Sequence, residues 1–247
     1  MTDYLLLFGV GLVAGTLNVI AGGGSFLTLP LLIFLGLPAT VANGTNRVGI
    51  FCQNVAAVWG FHRHGVVDWR YVVWAAVPAT FGAGLGTWAA VAIGDAAFRR
   101  VLAFLMIAVT LWTLWDPFKK KQAFLEPGQR PNVAALAIGF FFVGIYGGFV
   151  QAGVGFLILA TTTLAGLDLV RGNAVKVLSV LIYTALSLGL FAWQGKVVWD
   201  LGLALAVGTV AGSQVGVRFT VLKGHRWVKA VVTTAVLVFA VKLLLMG

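Results

Sequence analysis

Apolar residues gather in long uninterrupted blocks along this chain. Six of them, near 43–61, 70–93, 97–115, 173–193, 199–221 and 227–246, each approach the ~20 residues that cross a bilayer as helix. Two other regions are broken. Residues 4–20 are apolar, then Ala21-Gly22-Gly23-Gly24-Ser25 interrupts, and a short apolar stretch follows over 26–37. Residues 132–147 likewise run into a break over 148–155, which contains Gln151, Gly153 and Gly155, before a second short stretch over 156–167. A stretch of about 12 residues is too short to span, which predicts segments that enter the membrane and return.

The two broken regions correspond. Sliding the sequence by 130 residues without a gap pairs Gly9 with Gly139, Gly23 with Gly153, Phe26 with Phe156 and Asn43 with Asn173. The same offset continues through Trp69 and Trp199, Gly82 and Gly212, and Gly94 and Gly224. A single register kept through glycine, asparagine and tryptophan predicts a duplication: repeats over 1–115 and 132–247, joined by a basic linker over 116–131. The expected fold is an all-α polytopic membrane protein of two homologous halves. Each half is a broken re-entrant hairpin followed by three transmembrane helices, or eight spans in all if each broken region crosses once.

Composition agrees. Hydrophobic residues make up 60% of the 247 and charged residues 10%, where a soluble domain carries about 25% charged. The net charge of +10 falls mostly in short loops, where the positive-inside rule and anionic headgroups account for it. Nucleic acid is not an expected partner; the lipid bilayer is. The single cysteine, Cys52, rules out a disulfide framework or a cysteine metal cluster, and neither a metal nor a cofactor is expected. Met1-Thr2-Asp3 offers no basic region ahead of the apolar run, so a cleaved signal peptide is not expected.

Charge also orients the chain. If each broken region is a hairpin, the halves are inverted and the linker side holds twelve of the 17 basic residues. Arg47, Arg99, Arg100, Lys196 and Lys242 fall on the other side. Eight plain spans would split them eight against nine, which carries no signal. The positive-inside rule therefore favours hairpins, with the linker cytoplasmic and both termini outside.

Candidate chemistry lies at the breaks. A helix that starts inside the membrane exposes N–H groups where water cannot satisfy them, and its positive dipole end attracts an anion. Gly22, Gly23, Gly24 and Ser25 precede one such helix; Gln151, Gly153 and Gly155 precede the other. Two readings stand: an anion site made of backbone N–H groups, or glycines that only permit tight hairpins. Beyond each short helix come Asn43, Thr45, Asn46 and Arg47, and then Asn173 and Lys176. The two cations either bind the anion or snorkel to headgroups. Phe26 and Phe156 would wall or gate the site. Glycines four apart, as in Gly82/Gly86 and Gly208/Gly212/Gly216, predict close helix packing. The seven acids all fall at span edges or in loops, so a cationic substrate is disfavoured. No Walker loop, no HExxH and no histidine within a span supports an enzyme.

The Gly22-Gly23-Gly24 run with Pro30, Asn43-Gly44-Thr45-Asn46-Arg47, Gly147-Gly148 with Gln151-Ala152-Gly153-Val154-Gly155-Phe156, and Asn173-Ala174-Val175-Lys176 together resemble the sulfite exporter TauE/SafE family, also called the TSUP permeases. The similarity covers nearly the whole chain. It implies a plasma-membrane permease, usually prokaryotic and so in the bacterial inner membrane, for small sulfur anions such as sulfite, sulfoacetate or thiosulfate. A passive anion channel and a non-transporting subunit of a partner complex are the alternative functions.

Overall fold

The computed structural model describes residues 2–115 and 131–221; the linker up to residue 130 and the span expected at 227–246 lie outside the described residues. Within them run nine α-helices and no strand. They are α1 (Thr2–Ile20), α2 (Ser25–Phe34), α3 (Ala39–Arg63), α4 (Trp69–Ala92), α5 (Asp95–Trp115), α6 (Val133–Phe149), α7 (Val154–Leu164), α8 (Leu169–Trp193) and α9 (Trp199–Val221). Four of these, α1, α4, α8 and α9, are long and apolar enough to cross a membrane. This is a multi-pass helical membrane protein. Large apolar side chains such as Phe81, Trp88, Phe104 and Trp193 stand exposed on its outside, as lipid-facing side chains do.

Local chemistry sets the helix ends. The carboxylates of Asp68 and Asp168 accept backbone N–H bonds at the starts of α4 and α8, and the Asn132 side chain does so for α6. Gly65 and Gly195 end α3 and α8 with φ of +66° and +65°, a left-handed conformation that glycine adopts without penalty. At the 130-residue offset α3 and α8 share both their bounds. The two interruptions are narrower than the sequence suggests, because α6 continues through Gly147-Gly148-Phe149 and only residues 150–153 leave the helix. The first break comprises residues 21–24.

The small-residue stripes are helix contacts. A Cβ on Gly82 or Gly86 would run into the carbonyls of Phe141 or Ile145 on α6, and one on Gly144 or Gly148 into those of Ala79 or Ala83 on α4. On α9, Gly208 lies against Phe8 and Leu12, Gly212 against Leu12 and Thr16, and Gly216 against Thr16 and Val19 of α1. Residue numbers rise together along both pairs, so each pair runs in the same direction. Helix α3 also runs with α9: Thr45 meets Val198, Gly49 meets Thr209 and Ala56 meets Gln214 through hydrogen bonds. Tight turns over 64–68 and 194–198 reverse the chain between α3 and α4 and between α8 and α9. Helices α1, α3 and α9 thus point one way, and α4, α6 and α8 the other.

Candidate functional site

Helix α1 stops at Ile20 and α2 starts at Ser25, while α6 stops at Phe149 and α7 starts at Val154. The two breaks touch. A Cβ on Gly22 would overlap the backbone of Gly155, and one on Gly155 would overlap Gly22. Gly22 and Gly153 adopt φ of +86° and +72°. The left-handed residue therefore falls on Gly22, not on Gly23, although Gly23 is the residue that pairs with Gly153 in sequence. The N–H groups of Gly23, Gly24 and Ser25 donate no backbone hydrogen bond, and neither do those of Gly153 and Gly155. Phe156 covers Gly23 and Phe26 covers Gly153. The two rings stack on each other with centroids 6.3 Å apart.

Both cations occupy positions the sequence does not reveal. Helices α3 and α8 begin at Ala39 and Leu169, so Arg47 and Lys176 lie beyond the first turn rather than at the dipole's positive end. Neither snorkels: Arg47 is 0% and Lys176 2% exposed. Arg47 Nη2 donates to the carbonyls of Gly147 (3.1 Å) and Gly148 (2.6 Å), and Asn43 Nδ2 donates to that of Phe149 (2.9 Å). These are the last carbonyls of α6, which its own helix leaves unpaired. Lys176 Nζ donates to Val19 O (2.7 Å), near the end of α1, and to Asn173 Oδ1. Each cation therefore sits at the carboxyl end of a broken helix, where the dipole favours it. The dipole of the helix that carries each cation does not decide its surroundings, because the side chain reaches across to the end of a different helix.

A small cavity lies between the breaks, with a volume of about 20 Å³, enough for about one water molecule. Its polar wall includes Asn18, Ser25, Gln53, Gln151 and Lys176, with the backbone of Gly22 and Gly155; Ile50, Val154 and Val180 make the apolar wall. Of the residues picked out in the sequence, the structure thus brings Gly22, Ser25, Gln151, Gly155 and Lys176 to one place. Asn46 stands behind them, bonded to Thr28 Oγ1 (2.6 Å) and Ser25 Oγ (3.4 Å). Thr45 does not join them; its hydroxyl accepts from Val198 N at the start of α9 (3.0 Å). Arg47 lies outside the lining, with its guanidinium 4.9 Å from the centre of the Phe191 ring and its Nε and Nη1 unpaired. Gln151 Nε2 donates to Thr184 Oγ1 (2.6 Å) and leaves its Oε1 unpaired beside the cavity. Sequence reading missed Asn18, whose Nδ2 donates to Gln53 Oε1 (3.3 Å). An amide one turn before the glycine break, inside an otherwise apolar helix, is the signal that marks it.

Among the described residues, Arg47 and Lys176 are the buried charged side chains, and no carboxylate is buried. Interrupted helices that meet in the interior around a cation define the class: a polytopic membrane transport protein. Residues 7–243 match the family model described as Sulfite exporter TauE/SafE, and the chain belongs to that family. It is 30% identical over 232 residues to a probable membrane transporter protein of Haemophilus influenzae, covering 92% of this chain and 89% of that one. It is 28% identical over 242 residues to a probable membrane transporter protein of Sinorhizobium, covering 96% and 91%. With the probable membrane transporter protein YfcA of Escherichia coli K12 it shares 29% identity over 240 residues, covering 97% and 88%. No solved structure matches it.

Proposed function

We propose that this transporter carries a small anion, a sulfur oxyanion or organosulfonate, across the plasma membrane through a site between the two helix breaks. The observation that carries the reading is the meeting of Gly22 with Gly155 beside the Lys176 ammonium, with no carboxylate buried among the described residues. Free amides of Gly23, Gly24, Gly153 and Gly155 and the side chains of Ser25, Asn46 and Gln151 would supply hydrogen bonds. Arg47 and Asn173 act from behind, by holding the broken helices and the Lys176 amine in place. A cavity with room for about one water does not hold a polyatomic anion, so the breaks part to load it, with the stacked Phe26 and Phe156 rings as the barrier that separates.

The halves 1–115 and 132–247 are proposed as inverted repeats around this site. Helix direction supports it: α1, α3 and α9 run opposite to α6, α8 and α4, their partners at the 130-residue offset. A two-fold axis in the membrane plane through the breaks relates helices in that way, and rocking of one half against the other alternates access. With the charge distribution, this reading implies that Lys119–Lys121 face the cytoplasm. A Lys120→Cys variant in a Cys52→Ser background is expected to resist impermeant thiol reagents in intact cells and to label after lysis; labelling in intact cells contradicts the orientation.

Thermal unfolding of the purified protein tests the substrate reading. At least one among sulfite, sulfoacetate, thiosulfate and sulfate is expected to raise the midpoint, since a ligand at 100 times its Kd stabilises by about 2.7 kcal/mol. A rise with choline or neutral sugars and none with any anion contradicts it.

A further inference from the structure

Among the described residues, one cation lines the cavity between the breaks. Lys176 lines it, and Arg47 does not. The two are not equivalent positions in the duplication either: at the 130-residue offset Lys176 pairs with the neutral Asn46, and Arg47 with Val177. Asn46 spends its side chain on Ser25 and Thr28 within the first half. Arg47 spends one nitrogen on two carbonyls at the end of α6, where the negative dipole end offsets its charge. The symmetric frame of the site therefore carries an asymmetric charge.

An ammonium has three donors. Val19 O and Asn173 Oδ1 take two of those on a protonated Lys176, both neutral acceptors, so in that state one donor and the positive charge have no counterion. Lys176 is 2% exposed and borders the cavity. Among the described residues, nothing else charged lines it.

We propose that the site selects anions bearing a single negative charge. A monoanion on Lys176 gives a neutral pair in the low-dielectric interior, whereas a dianion leaves one negative charge uncompensated, which the membrane interior penalises heavily. Of the sulfur anions considered above, sulfite meets this in its hydrogen sulfite form, and a short monosulfonate meets it throughout the neutral pH range. Thiosulfate and doubly ionised sulfoacetate do not. The inference rests on the anion reading of the site and narrows it.

Methanesulfonate and sulfate separate the two ideas, because they match in tetrahedral shape and size and differ by one charge. Calorimetric titration of the purified protein at neutral pH is expected to show methanesulfonate binding at least about a hundredfold more tightly than sulfate. The Lys176→Arg variant, which keeps the charge, is expected to keep that preference. Sulfate binding as tightly as methanesulfonate, or more tightly, overturns the single-charge selection and leaves the anion site standing. Binding of neither anion, alongside binding of a cation or an uncharged solute at the same cavity, overturns the anion reading and this inference together.

Discussion

Gly22→Ala and Gly155→Ala are expected to yield protein that reaches the membrane poorly and carries no substrate. At Gly22 two costs combine. The new Cβ meets the backbone of Gly155, which has no flexible end to swing aside, and the residue must hold φ at +86°. Overpacking costs about 1–3 kcal/mol and the left-handed backbone roughly 1–2 kcal/mol for a residue with a Cβ. At Gly155 only the first cost applies, so its alanine variant is the milder of the two. Gly36→Ala is the internal control. That residue has φ of +94° but open space around its Cβ position, so it bears the backbone cost alone and should still transport. Gly23→Ala falls between, since the atom in its way is the tip of the Phe156 ring at 2.7 Å. Unfolding midpoints and transport by the four variants check the order; a Gly22→Ala protein as stable and active as Gly36→Ala contradicts the contact between the breaks.

Lys176→Gln is expected to weaken anion binding by about 1.5–3 kcal/mol, the range for a hydrogen bond to a charged group. The fold should survive. Gln can still donate to Val19 O, and the equivalent position in the first half already carries an amide, Asn46. The substitution also removes a buried charge that has no counterion, whose desolvation opposes folding. The expected signature is therefore lost affinity with an unchanged or raised unfolding midpoint. Lys176→Arg restores the charge and is expected to recover part of the affinity. Full affinity in Lys176→Gln contradicts the placing of the substrate beside this amine.

Much of the architecture was legible because the bilayer imposes it. Membrane-length apolar blocks located α3, α4, α5, α8 and α9, and the glycine interruptions located the divided segments α1–α2 and α6–α7. Spacing of small residues foretold the close approach of α4 to α6 and of α1 to α9. Hydropathy placed the starts of α3 and α8 about one turn late, because Thr40 and Arg171-Gly172 interrupt the apolar pattern of their first turns while Pro38 and Asp168 already cap the helices. That shift put Arg47 and Lys176 nearer to the helix starts than they lie. Their surroundings depend on which foreign helix end lies within reach, and no local spacing records it. The contact of Gly22 with Gly155 was hidden for the same reason: it joins two halves at positions that share no register, so the duplication pointed to Gly23 and Gly153 instead.

The central claim is that a small anion crosses between the two helix breaks, and flux through them tests it most directly. Purified protein in proteoliposomes is expected to take up radiolabelled sulfite saturably, to exchange it faster when unlabelled sulfite is present on the far side, and to lose both properties in Gly22→Ala. Uptake that rises linearly with concentration without exchange, or that persists unchanged in Gly22→Ala, would contradict it.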